Sequence, residues 1–180
     1  MTVVTVTERP GVTVEVTDGR LTLVQLSRQL LDRAQTDPDV AAQLVATTIG
    51  RALDENSAAF WRQLPPPGHP YARQLHDRFV QTLTQPPAEP SVQGRVADTA
   101  AVQVEASPGL RTVVVPDFLL APEHRAELER ALVSTVNSQL AAAAQAVHDE
   151  LEPVFAGQPT IDWDDVERNL DAPDTRRFLR

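Results

Sequence analysis

Apolar and polar residues alternate with two different periods along this chain. In residues 11–17 (GVTVEVT), Val12, Val14 and Val16 stand against Thr13, Glu15 and Thr17. That is the period of a strand with one face in a core. Residues 2–7 (TVVTVT) are equally strand-like, and Arg9-Pro10-Gly11 between the two runs is turn chemistry. Asp18-Gly19 suits the positive φ angles of a tight hairpin. RLTLVQLS follows, with Leu21, Leu23 and Leu26 predicted to face inward. The chain thus opens as a three-strand antiparallel meander.

Residues 27–36 fit neither period clearly. At Asp37-Pro38 the pattern changes to helical. Asp37 can cap the first free N–H groups, and Pro38 suits the first helical position, where its missing donor costs nothing. Leu44, Val45, Thr48, Ile49, Ala52, Leu53 and Phe60 recur at three and four residues, predicting a helix from Pro38 to about Arg62. Pro65-Pro66-Pro67-Gly68-His69-Pro70 ends it and reads as a stiff spacer. Residues 71–84 carry Leu75, Phe79, Val80 and Leu83 on one helical face. Strand patterns return at 92–97, 101–106 and 110–115. Pro122 and Glu123 open the longest predicted helix, running to about Leu151, roughly 45 Å at 1.5 Å per residue. Leu128, Leu132, Val136 and Leu140 mark its apolar face.

The two halves echo one another. Val12-Thr13-Val14-Glu15 matches Val102-Gln103-Val104-Glu105, Gly19 matches Gly109, and Leu30 matches Leu120, all at one offset. Pro38 and Pro122 then both open a helix. A single βββα layer leaves the back of its sheet bare and cannot bury its apolar face alone. Two such layers can cover each other, as in a dimer made within one chain. The predicted fold is therefore α+β: two βββα units, antiparallel sheets with long helices, packed as an intrachain pseudo-dimer. The divisions are a first, divergent unit (1–64), a Pro-rich linker (65–70), a second αβββα unit (71–152) and an acidic, partly disordered tail (153–180).

Composition narrows the chemistry. The chain has 180 residues, 42% of them apolar, which is enough for a core. Aromatics are only 4%, so Val, Leu, Ala and Ile must build it. The absence of Cys excludes disulfides, thiol catalysis and Cys-ligated zinc. No run approaches the roughly 18 apolar residues of a membrane span, and the N-terminus lacks a signal-peptide pattern, so a cytoplasmic location without membrane contact is expected. All 16 basic residues are Arg, and the net charge is −9. Phosphate is repelled at long range, so a nucleic-acid contact requires a local Arg cluster.

The second half resembles a known family. Val92-Gln93-Gly94, the Val102/Val104 strand, the turn at Gly109, Val113-Val114-Val115 with Asp117-Phe118-Leu119-Leu120, then Glu127-Leu128-Glu129 and Val136-Asn137 look like the YbaB/EbfC family of nucleoid-associated proteins. The likeness covers about 70–151 well and 2–62 weakly. It implies αβββα units that pair into a tweezer-like body with projecting helices, and DNA binding of limited sequence preference in the nucleoid. The first half departs from the pattern: it lacks a leading helix and has Gly50 where the second half has Asn137. Related-looking actinobacterial proteins accompany type VII secretion loci. A protein-interaction adaptor or chaperone-like factor that does not bind DNA is thus the alternative.

Candidate residues follow from these two readings. For nucleic acid they are Arg73 and Arg78 on the short helix and Arg125 and Arg130 at the start of the long one. Arg125 and Glu129 are spaced for an intrahelical ion pair. For protein docking they are Ile161, Trp163 and Val166, apolar anchors among the acidic residues of the tail. The four histidines, His69, His76, His124 and His148, have no metal-ligand spacing, and DWDDVE lacks the glycine and distal glutamate of a calcium loop. No phosphate-binding glycine loop or nucleophile elbow occurs. No catalytic residue, metal or cofactor is expected, and the protein is read as non-enzymatic. Internal pairing predicts a monomer, with self-association left open.

Overall fold

A computed structural model describes residues 1–9, 11–64, 68, 70, 73, 74, 76–78, 81 and 91–155. The meander forms as read. Strands β1 (Val3–Glu8), β2 (Val12–Thr17) and β3 (Arg20–Leu26) make an antiparallel sheet in the order β1-β2-β3. Asp18 and Gly19 turn the chain with φ of 47° and 77°. Positive φ at both central residues matches the right-handed twist of the flanking strands, and Gly takes it without a Cβ clash. Val12, Val14 and Val16 are fully buried.

One position of β3 departs from strict alternation. Val16 pairs with Leu21 but Glu15 with Leu23, so Thr22 is an extra residue in a bulge. Its hydroxyl donates to the Glu15 carboxylate at 2.9 Å. The bulge turns Leu23 away from the core and brings in Val24, which is buried with Leu21 and Leu26. The region 27–36 contains a short helix, α1 (Arg28–Ala34), whose cap Ser27 accepts from Leu30 N at 3.2 Å. Leu30, Leu31 and Ala34 are its buried face.

Helix α2 (Pro38–Gln63) begins as its cap predicts: the Asp37 carboxylate accepts from Val40 N, and Pro38 lies in the first turn. Val45, Ile49 and Ala52 are buried against the first sheet, whereas Phe60 is 48% exposed and leaves the core stripe.

The second sheet corrects the expectation of antiparallel strands throughout. Strands β4 (Gln93–Ala97), β5 (Gln103–Ala106) and β6 (Leu110–Pro116) lie in the order β4-β6-β5. β5 and β6 are antiparallel, but β4 runs parallel to β6. The β5–β6 hairpin occupies one side of β6, so β4 takes the other. β6 is then the central strand, and Leu110, Val113, Val114 and Val115 are buried on both of its faces. Two 3₁₀ turns, Asp117–Leu120 and Pro122–His124, lead into α3 (Arg125–Phe155). The long helix therefore starts in 3₁₀ geometry at Pro122 and passes Pro153. Within 71–84, the described residues 73, 74, 76–78 and 81 are helical.

Each long helix lies along the edge strand of the opposite half. Gln43 of α2 donates from Nε2 to Val92 O and accepts from Gly94 N, both at 2.9 Å. One turn away, the Asp39 carboxylate accepts from Val96 N at 2.9 Å. On the other side, Asn137 of α3 accepts from Leu21 N at 2.9 Å and donates to Leu21 O at 2.8 Å. Two turns earlier, Glu129 accepts from Leu26 N at 2.8 Å. Thus an amide and a carboxylate on each helix satisfy the backbone groups of β4 or β3 that no strand reaches. Leu128, Leu132 and Val136 are fully buried behind these contacts. One continuous core joins both sheets with α1, α2 and α3.

Candidate functional site

The C-terminal half of α2 is where the chain's polar and apolar groups meet a cavity. Asn56 falls on the buried stripe four residues after Ala52. Its Oδ1 accepts from Gly19 N at 2.9 Å, and its Nδ2 donates to Thr2 O at 2.9 Å and Val16 O at 3.1 Å. Asp18 adds a bond from Thr2 N at 2.7 Å. The first hairpin is therefore pinned to α2, and its turn becomes one rim of a cleft.

The cleft has a volume of about 630 Å³ and is open to solvent. Leu53, Ser57 and Phe60 of α2 line it together with Val92, Leu110 of β6 and Leu140 of α3. Gly50 also lines it, because any larger residue there would collide with the Val92 side chain. Most of the surface is apolar. Its polar lining is Asp18, Asp54, Asn56, Ser57 and Ser91, and Asp54 makes no ion pair among the described residues. Burial pushes its carboxyl above the ordinary range, since desolvation disfavours the charged form. One turn away on α2 the situation is reversed. Glu55, with Glu8 of β1 behind it, holds the exposed Arg51 guanidinium above its ordinary value.

The four candidate arginines are not brought together. Arg125 lies 3.8 Å from Glu129, the ion pair its spacing predicts. Arg130 donates from Nε to Ala126 O at 3.0 Å. Arg125 lies beside Leu26, at the C-terminal end of β3. Arg73 and Arg78 are each engaged by other groups. Between them His76 sets its ring edge-on to Trp61 at 6.4 Å, beyond the Asn56 end of α2. The length of β3, about 20 Å at 3.4 Å per residue, separates the two ends. The projecting part of α3 is acidic, with Asp149 and Glu150 exposed. Ile161, Trp163 and Val166 lie outside the described residues.

Sequence reasoning missed Asp54 and Asn56. A signal existed for both. Asn56 interrupts an apolar stripe at helical spacing, and Asp54 with Ser57 stands beside Leu53 and Phe60 on one face. Such polar breaks in an apolar face mark a buried bond or a site. Among the described residues, no group of three or more His, Asp or Glu could hold a metal ion, and no helix is long and apolar enough to cross a membrane.

No family model, curated protein or solved structure matches this chain.

Proposed function

We propose that this protein is a non-enzymatic protein-binding module, and that its cleft receives an amphipathic segment of a partner. The carrying observation is a largely apolar cleft with Asp54 in its lining, a carboxylate that makes no ion pair among the described residues and whose carboxyl desolvation holds above its ordinary range. A carboxylate partly desolvated beside apolar surface gains from a nearby cation, and an incoming Lys or Arg would supply one. The fitting occupant is a short apolar segment carrying one basic residue. Phe60, exposed at the cleft mouth, is the kind of aromatic anchor that dominates such contacts. Net acidity supports the same polarity, since it draws basic partners and slows acidic ones.

The reciprocal bracing of edge strands by α2 and α3 also supports the duplicated-unit reading, with β4 as an insertion between β6 and α2. Under that reading the chain is a divergent relative of the YbaB/EbfC plan. DNA binding, which that plan implies, is the competing proposal. It requires Arg73, Arg78, Arg125 and Arg130 to act at separate points.

Selection of random twelve-residue peptides on the full chain separates these. Enriched peptides should combine apolar residues with Lys or Arg. Their affinity should fall about tenfold, or 1.4 kcal/mol, in both Asp54→Asn and Phe60→Ala. Enrichment that ignores both substitutions sinks the cleft reading. A DNA complex at about 50 mM salt whose affinity drops steeply with added salt establishes the competing one.

A further inference from the structure

We infer that the outer edge of β1 pairs with β1 of a second copy of this chain, making a two-fold dimer through a continuous six-stranded sheet. The fold treats its sheet edges unequally. β3 is braced by Asn137 and Glu129, and β4 by Gln43 and Asp39. β5 is only 4 residues long. β1 has 6 residues, VVTVTE, without Lys, Pro or a bulge. These are the devices that ordinarily block edge pairing.

The hydrogen-bonding groups of β1 divide cleanly. Asp18 N donates to Thr2 O at 2.9 Å, so Thr2 and Asp18 form a hydrogen-bonded pair. Alternation along an antiparallel ladder then assigns Val4, Val6 and Glu8 to bonds with β2. Val3, Thr5 and Thr7 are the non-bonded positions, and the 3.2 Å approach of the Thr7 and Thr13 hydroxyls fits that class. Their N–H and C=O groups therefore point outward. No described residue bonds to them, and all three residues are exposed.

The sequence of this edge is self-complementary. Set antiparallel about Thr5, Val3 faces Thr7 of the second copy, Thr5 faces Thr5, and Val4 faces Val6. The three outward pairs supply about six ladder hydrogen bonds. Val4 and Val6 continue the apolar face that α2 covers, while β-branched side chains meet on the other face. Charge points to the same occupant. The single ionised side chain of β1, Glu8, is paired with Arg51. The edge is thus a neutral strip on a chain of charge −9, suited to a partner no more basic than itself. In the symmetric register the two Glu8 residues lie at opposite ends, about 20 Å apart at 3.4 Å per residue.

Sedimentation of the full chain tests this. The mass should rise from 19.7 kDa towards twice that value with concentration over about 5–200 µM. Thr5→Pro removes an outward N–H that the β1–β2 ladder does not use, so the sheet should persist by circular dichroism while the dimer is lost. Thr5→Lys places two cations on the dyad and should weaken association at least tenfold, which covers the case in which the proline variant does not fold. The chain has no Cys, so Thr5→Cys provides its sole thiol. A short bis-maleimide should join that variant into dimers and leave a Thr22→Cys control monomeric. A chain that stays monomeric across this range, or a dimer that survives the proline or lysine substitution, overturns the inference.

Discussion

Replacing Gly94 by Ala tests the seam between the halves most directly. Gly94 sits in β4 where the strand crosses α2. A Cβ built there would lie 2.7 Å from Gln43 Cα and closer still to the Ala42 carbonyl. Both obstacles are backbone, so no rotamer change relieves them. β4 and α2 must part by roughly 1 Å to restore ordinary contact, which costs about 1–3 kcal/mol as overpacking. That movement stretches the two bonds of Gln43 and the bond of Asp39, all now at 2.9 Å. Beyond about 3.5 Å each ceases to count, and each contributes about 0.5–1.5 kcal/mol. The combined loss is about 2.5–7.5 kcal/mol, a large share of the ~5–15 kcal/mol that holds a domain together. The readout is urea denaturation at constant m, with a thermal midpoint lowered by about 10 °C for a chain of this size. Gly109→Ala is the control, because nothing lies within 4 Å of a Cβ there. It should change stability by no more than about 0.5 kcal/mol. If Gly94→Ala is as mild as Gly109→Ala, the close approach of β4 to α2 is wrong.

Three further outcomes follow from the same contacts. Asn137→Ala leaves Leu21 N and O without partners and should lower stability by about 2–3 kcal/mol in denaturant titration; Asn137→Asp keeps the acceptor, loses the donor and should fall between. Asn56→Ala strands Gly19 N and removes the second bond at Thr2 O and Val16 O, and should cost about 1–3 kcal/mol, with amide exchange fastest at the Asp18-Gly19 turn. Asp54 has a folded-state pKa above its unfolded value, so its ionised form opposes folding. Above the folded pKa that penalty is complete, and it fades as pH falls towards the ordinary Asp value of 3.8. Asp54→Asn should therefore raise the thermal midpoint at pH 7 and leave it unchanged near pH 3; a gain equal at both values would show that the carboxyl's charge is not the cause.

Local rules made the elements legible. Asp18-Gly19, Asp37-Pro38 and the Val12/Val14/Val16 alternation each encode their geometry within a few residues, and each appears where the pattern places it. The errors arose where a distant partner decides. Leu23 looks inward by alternation, but the Thr22 bulge shifts the register after Leu21. β4 has an ordinary strand pattern, and nothing within residues 92–97 says that it runs parallel to β6. The hairpin on the other side of β6 decides which edge β4 takes, and the backbone of α2 admits only glycine at position 94. Phe60 continues the helical stripe, yet α2 outlasts the sheet beneath it, so the stripe's last aromatic faces the cleft.

The polar residues on the helix stripes carry a further consequence. An apolar stripe alone would let α2 and α3 slide along the sheets, because burial is non-directional. Gln43, Asp39, Asn137 and Glu129 each bind a specific backbone group of the opposite half. Displacement by one turn would break all of these bonds, each of which contributes about 0.5–1.5 kcal/mol. They therefore fix the register between the halves. The same positions also explain why neither half should fold alone: each would expose an edge strand and leave an amide and a carboxylate without acceptor or donor. The cleft inherits this coupling. It is lined by α2, by Val92 just before β4, by Leu110 of β6 and by Leu140 of α3, and it exists only when both halves are in register. A ligand held there would bind the folded pair and not its parts, so occupancy should stabilise the whole chain by mass action.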